Sequence, residues 1–323
     1  MVFGQRNVIR KVIEEKGNWY QLILKMYELD EGVRKTFFQN FIINSALKGT
    51  AIQQEIAKRE YCNVPWAILL DPTSACNLHC TGCWAAQYGH KLNLNIGTID
   101  DIIRQGKELG TYMYIYTGGE PLVRKKDIIT LCECHSDCEF LAFTNGTLID
   151  EDFCQEMLRV KNFVPAISLE GFEKANDGRR GEGVFNKVQN AMKLLKENKL
   201  PFGISVCYTS ANYADISSEE FFDMLIEAGA CLYGSFTICQ LEMTRHLNFF
   251  QIRNNAEWFM KGYGAIEIQS RFLVWIFKMM PSMWADVLRG DEIIFLMRQE
   301  MWSRAYSFII PMRIFMTALY WKR

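Results

Sequence analysis

Neither sign of charge dominates this chain: 36 Lys and Arg stand against 37 Asp and Glu, for a formal net charge of −1. Without a basic surplus there is no field to gather nucleic acid or anionic lipid, so a DNA-coating role is excluded and no nucleic-acid partner is expected. Long apolar runs are missing too. The N-terminus, MVFGQRNVIRKVIEEKGNWY, holds no stretch that would serve as a signal peptide, and the chain is expected in the reducing cytoplasm. Further on, RFLVWIFKMM and AYSFIIPMRIFMTALYW are broken by Lys278, Pro281, Pro311 and Arg313. Neither run offers the ~20 apolar residues that an integral membrane helix needs. Cysteine, by contrast, is abundant. There are eleven, in a compartment where disulfides do not persist and clustered thiols are metal ligands or redox groups more often than staples. With 323 residues, about two domains' worth at roughly 150 residues each, the chain is long enough to bury a large core.

Residues 1–65 read as a helical segment, with apolar residues at helical spacing in Trp19, Leu22, Ile23, Met26 and Tyr27 and again in Phe37, Phe38, Phe41 and Ile42. From Trp66 onward, short apolar runs alternate with amphipathic stretches, and each run ends in Gly, Asn or Pro. Six strands are expected, at 66–71, 112–117, 139–144, 163–169, 202–208 and 231–237, with helices at 98–110, 123–135, 150–160, 184–199 and 217–229. Repeated βα units make a parallel sheet. The expected fold class is α/β: a partial parallel βα barrel of six strands over residues 66–237. In such folds the chemistry gathers at the C-terminal ends of the strands.

Directly after the first expected strand stand Cys76, Cys80 and Cys83, a C-x3-C-x2-C spacing on a loop. Three thiolates bind a 4Fe-4S cluster through three irons and leave the fourth open, whereas a structural zinc site normally takes four protein ligands. A zinc site completed by His79 or His90, or plain reduced thiols, is the competing reading. The second strand runs into Thr117-Gly118-Gly119-Glu120-Pro121-Leu122, where two glycines let backbone approach a ligand and a carboxylate suits an ammonium partner. The third ends in Thr144-Asn145-Gly146, which carries ordinary turn chemistry. The fourth ends in Ser168-Leu169-Glu170-Gly171, followed by Arg179-Arg180-Gly181. A guanidinium fork matches a carboxylate in two-point geometry; the alternative is a solvated basic turn.

This combination, over roughly residues 50–237, resembles the radical S-adenosylmethionine (radical SAM) superfamily, in particular the branch with a SPASM or twitch-type C-terminal extension. The resemblance implies a 4Fe-4S cluster on Cys76, Cys80 and Cys83, with S-adenosylmethionine (SAM) chelated to the open iron. It implies SAM contacts at Gly118, Gly119, Glu120, Ser168 and Arg180. The implied activity is cleavage of SAM to a 5'-deoxyadenosyl radical that abstracts hydrogen from a peptide or small-molecule precursor, with a reductant such as flavodoxin or ferredoxin. No side chain is expected to act as a general acid or base, because the cofactor carries the chemistry. Two departures stand out: Gly82 precedes the third cysteine where an aromatic residue is common, with Trp84 just after it, and Glu170 replaces the commoner Asp. The rival classes are a non-enzymatic zinc- or cluster-binding protein and an inactive truncated product. The other cysteines carry less. Cys132, Cys134 and Cys138, with His135, lie on and after an expected helix and read as structural, while Cys62, Cys154, Cys207 and Cys231 read as small buried hydrophobes.

After Thr237 the texture changes. Residues 238–323 hold 9 of the 15 Met and 5 of the 8 Trp, but 3 of the 22 Gly and one Cys. The charge balance turns from −5 before this point to +4 after it. Pairing the third base of each codon with the first two of the next leaves two of every three bases dictated by the written residues. From Ile238 that frame admits YMPVGNDATPELLPNPEQRRMVYERIR, and from Trp284 it admits GGCIAGGRNYFLNAAGDVEPC. The second string resembles the start of the cysteine-bearing extension of the same branch. Residues 238–323 are therefore expected to be a non-family, aberrant tail read out of frame. As written, the tail is an aggregation-prone or poorly packed segment, with a membrane-surface segment as the alternative.

Overall fold

The computed structural model describes residues 24–83, 85, 89, 91–209 and 211–237, together with residue 14 and two tail strands at 273–277 and 293–296. Among these, the preface is helical as expected. Helix α1 (Glu31–Phe37) starts where the Asp30 side chain accepts a hydrogen bond from the Val33 N–H at 2.9 Å. A side-chain acceptor at that position satisfies one of the helix's orphan N–H donors. The chain continues as a π-helix (Phe38–Gly49) and as α2 (Thr50–Glu60).

Amides fasten this preface to the N-terminal ends of the strands. The Asn40 Nδ2 group donates to the carbonyls of Ser136 and Cys138, Asn44 Nδ2 to that of Asp137, and Gln53 Nε2 to those of Pro65 and Gly110.

The core alternates strand and helix: β1 (Ala67–Thr73), α3 (Ile96–Glu108), β2 (Met113–Gly118), α4 (Lys125–Cys134), β3 (Glu139–Thr144), α5 (Glu151–Val160) and β4 (Phe163–Ser168). Then follow α6 (Glu173–Arg180), α7 (Val184–Glu197), β5 (Gly203–Tyr208), α8 (Tyr213–Ile216), α9 (Glu219–Ala228) and β6 (Leu232–Thr237). The tail adds β7 (Leu273–Phe277) and β8 (Ile293–Leu296). All pairings are parallel, in the order β7-β6-β5-β4-β3-β2-β1-β8. Each of the first six strands lies beside its predecessor, the order of an open βα barrel.

The six expected strands are all present. The sheet has two more, because the tail, expected to lack βα units, supplies a short apolar segment to each edge. Residues 173–180, where no helix was expected, form α6, and Arg179 and Arg180 end it.

Strand alternation divides the apolar residues between the two faces of the sheet. Ile68, Leu70, Tyr114, Tyr116 and Phe140 pack with Ile99 and Ile103 of α3 in the main core. Ala67, Leu69, Met113 and Ile115 lie on the other face, with Phe41 of the π-helix and Phe143 against them. The Tyr116 and Phe140 rings stack at 5.8 Å between centroids. Each such buried side chain contributes about 1.5–3 kcal/mol through removal from water.

Candidate active site

The cysteine loop leaves β1 at its C-terminal end. Ser74 N–H donates to the Leu92 carbonyl, and Ala75 N–H to Thr73 Oγ1 at 3.0 Å. The three cysteines Cys76, Cys80 and Cys83 are half-buried. Gly82, the departure noted before the third cysteine, takes a left-handed φ of +69°, and the turn it allows brings the Cys83 N–H to the Cys80 carbonyl at 3.2 Å. The Leu78 N–H points at Cys76 Sγ, 3.4 Å away. Burial pushes the Cys76 thiol up while that N–H opposes it, and burial pushes the Cys80 thiol up against Arg180 and Arg179. Trp84 and His90 lie outside the described residues.

The turn after β2 is built onto this loop. Gly119 N–H donates to the Thr73 carbonyl at 2.9 Å and Glu120 N–H to the Ala75 carbonyl at 2.8 Å. A Cβ on Gly119 would fall 2.2 Å from the Ala75 carbonyl oxygen, and one on Gly118, at φ +102°, 2.6 Å from that of Thr73. Only glycine permits so close an approach.

Glu120 is 1 % exposed. Its Oε1 accepts from the Leu122 N–H at 2.9 Å and from Thr144 Oγ1 at 2.7 Å, and its Oε2 from the Asn145 N–H at 2.7 Å. Burial pushes this carboxyl up and the three donors oppose it. The Glu120 side chain, expected as a ligand contact, joins the ends of β2 and β3. Asn145 Nδ2 donates onward to Asn77 Oδ1, and Asn77 Nδ2 to Thr147 Oγ1, both at 2.8 Å. The Thr144-Asn145-Gly146 turn, given only turn chemistry from sequence, therefore clamps the cysteine loop from a second side.

A second buried glutamate organises the β4 and β5 ends. Glu170 is 0 % exposed and its Oε1 receives both Arg179, through Nη1, and Arg180, through Nε and Nη2. Its Oε2 accepts from the Cys207 N–H at 2.9 Å, its N–H donates to Asn176 Oδ1, and its carbonyl accepts from Asn212 Nδ2. The Arg179 carbonyl accepts from the Thr81 N–H at 2.8 Å, tying the end of α6 to the cysteine loop. The half-buried Ser168 ends β4, paired in register with Ser205 of β5. Arg180 and the glycine turn thus come to one mouth with the cysteines, where Glu120 and Arg180 sense each other's charge.

Arg179, Asn77 and Asn145 were not singled out as site residues from sequence, although the Arg-Arg doublet and the Asn directly after Cys76 were visible. Cys207, read as a core thiol, belongs to this mouth: burial pushes it up to about 12, with Glu170, Arg179, Arg180 and Cys83 as its charged neighbours. Asp71, at the end of β1, has an Oδ1 with no partner among the described residues, and burial raises its carboxyl to about 6.

The remaining cysteines divide as their surroundings dictate. Cys132, Cys138, Cys154 and Cys231 are buried, Cys134 is exposed, and Cys62 and Cys207 are half-buried rather than buried as expected. His135 bonds Asp100 at 2.8 Å, and Asn162 Nδ2 donates to the carbonyls of Cys132, His135 and Cys138. That network is structural.

Residues 70–228 match the Radical SAM superfamily model. They form a radical SAM domain. Among curated proteins the chain is similar to the Fe-coproporphyrin III synthase of Methanosarcina barkeri, 28% identical over 50% of this chain and 41% of that one. It is also similar to the AdoMet-dependent heme synthase of the same organism, 26% identical over 54% of this chain and 51% of that one. An uncharacterised Methanocaldococcus jannaschii protein is 30% identical over 56% of this chain and 65% of that one. The chain thus spans about 41–65% of the length of these relatives. In fold, it resembles Streptococcus suis SuiB in a structure with bound S-adenosylmethionine, with a TM-score of 0.56 at 21% identity over 71% of this chain and 55% of that one.

A 4Fe-4S cluster and SAM are the cofactors characteristic of a radical SAM domain, and the residues present fit them. Three cysteines share one loop, an N–H points at one sulfur, and the buried Arg179 Nε has no acceptor among the described residues. Among the described residues no three His, Cys, Asp or Glu side chains converge as ligands of a single ion. A cubane, taking its thiolates on three different irons, does not require that convergence.

Proposed function

We propose that this chain is the core of a radical SAM enzyme that modifies a peptide or small-molecule precursor. Cys76, Cys80 and Cys83 would hold the cluster, and the Gly118–Glu120 turn, Ser168 and Arg180 would hold SAM. The observation that carries this is the joining of the glycine turn to the cysteine loop through the Thr73 and Ala75 carbonyls. When bound, the cluster and SAM supply one-electron cleavage of the sulfonium and hydrogen-atom abstraction from substrate.

The protein's own part is positional. The backbone of Gly118 and Gly119 offers close approach, Glu120 keeps that turn in place, and Glu170 holds Arg180 as a fork for a carboxylate. The substrate classes follow relatives of two kinds. Two are named for iron-coproporphyrin and heme synthesis, one, SkfB of Bacillus subtilis, for maturation of a sporulation killing factor, and one, from Granulibacter bethesdensis, as a PqqA peptide cyclase. A low-potential donor of the flavodoxin or ferredoxin type would supply the electron, and the cytoplasm is the proposed compartment; no helix among the described residues is long and apolar enough to cross a membrane.

Anaerobic reconstitution with iron and sulfide tests the reading. Brown protein that releases 5'-deoxyadenosine from SAM and dithionite is expected. Colourless protein with stoichiometric zinc contradicts it, and a cluster that never cleaves SAM marks an inactive product.

The three-part organisation, with a helical segment at 1–65, the core at 66–237 and a tail at 238–323 read out of frame, belongs to the same proposal. Sequencing the genomic DNA from codon 230 past the stop tests it. A single-base change that restores GGCIAGGRNYFLNAAGDVEPC supports it, and a shifted frame closed by stops overturns it.

A further inference from the structure

We propose that Arg179 sets how readily a cluster on Cys76, Cys80 and Cys83 is reduced, by placing a positive charge and an unspent N–H donor against the cysteine loop. This rests on the cluster reading above and concerns a residue to which that reading gives no part.

The charge count is the first ground. Two guanidinium groups share one carboxylate, Glu170, and that carboxylate is 0 % exposed. One unit of positive charge is left over in a place where water screens it poorly. The second ground is how the donors are divided. Arg180 commits Nε and Nη2 to Glu170 Oε1, whereas Arg179 commits Nη1 and keeps a buried Nε–H without an acceptor among the described residues. An orphaned, buried, charged donor is costly, so a sulfur or other acceptor arriving at the site is favoured there.

The third ground is attachment. The Arg179 carbonyl accepts the Thr81 N–H at 2.8 Å, between Cys80 and Cys83, so the backbone that carries this guanidinium is tied to the cysteine loop. Burial works against the Arg179 charge, and the groups that outweigh it are Glu170, Cys207, Cys80 and Cys83. Three of those four are thiols of this mouth. A cluster held by three thiolates gains negative charge on reduction, and a fixed cation together with a hydrogen bond to sulfur favours the reduced state.

The test is a spectroelectrochemical midpoint on reconstituted protein without SAM, following the EPR signal of the reduced cluster. Arg179→Gln is expected to make reduction about tenfold less favourable at a fixed potential, equivalent to about 59 mV for one electron. Arg179→Lys, which restores the charge, is expected to recover most of that shift. An unchanged midpoint in Arg179→Gln, with full iron content and native circular dichroism, overturns the inference while leaving the cluster reading intact. Wild-type protein that takes up no iron removes the cluster reading itself. If Arg179→Gln fails to load iron and Arg179→Lys loads it with a midpoint unlike wild type, the charge serves assembly and the tuning role is overturned.

Discussion

Two glutamates stand at the same mouth, each buried at the C-terminal end of a strand, and they are held in opposite ways. Glu120, after β2, meets only neutral donors: two backbone N–H groups and the Thr144 hydroxyl. Glu170, after β4, meets two guanidinium groups and one backbone N–H. The first arrangement fixes the shape of a turn. The second gathers charge and leaves a surplus of it beside the cysteine loop. One residue type thus does framework work on one side of the mouth and electrostatic work on the other, and the partners alone decide which.

Removing each glutamate sharpens the contrast. Glu170→Ala leaves two half-buried guanidinium groups without their carboxylate and is expected to cost about 3–5 kcal/mol, read by urea denaturation. Salt should narrow the gap to wild type, because the unpaired cations are partly screened. Glu120→Ala leaves three neutral donors unsatisfied and is expected to cost about 2–3 kcal/mol with little salt dependence. Equal salt dependence in the two variants would erase the distinction.

Asp71 offers a third case, a carboxyl at the end of β1 with no partner on Oδ1 among the described residues. Burial raises it from 3.8 to about 6. Between those values the native state holds a proton that the unfolded chain has released, so stability falls as pH rises through that window. The loss by pH 7 is about 1–2 kcal/mol once residual exposure is allowed for. Asp71→Asn should abolish that slope, and denaturation midpoints from pH 4 to pH 7 that still fall in the variant would assign it to another group. The smallest effect is expected at Asn145→Ala, where loss of the Asn77 hydrogen bond should cost about 0.5–1.5 kcal/mol and loosen the cysteine loop, read as faster alkylation of Cys76.

The six core strands were legible because each is a short apolar run closed by a turn residue; β3 was expected and found at residues 139–144. The cysteine spacing and the glycine turn were equally visible. Helix α6, EKANDGRR, was not, because it buries only Asn176 and so shows no apolar stripe. That miss concealed Arg179, which looks like half of a solvated doublet until Glu170 is found beneath it. The Asn77–Asn145 link joins residues 68 positions apart through two amides, and no local pattern announces such a pair. Cys207 was misread for a related reason: it is half-buried, and an apolar strand sequence does not show that a buried carboxylate and two half-buried arginines lie beside it. The tail strands were missed because their short apolar segments lie among residues without βα texture.

The most direct measurement is the iron and sulfide content of anaerobically reconstituted protein, compared with Cys76→Ala, Cys80→Ala and Cys83→Ala. About four irons and four sulfides per chain in the wild type, falling to a small fraction in each variant, is the expected result. Wild-type protein that binds no iron, or variants that load as well as it does, would contradict the assignment of this loop as the cluster site.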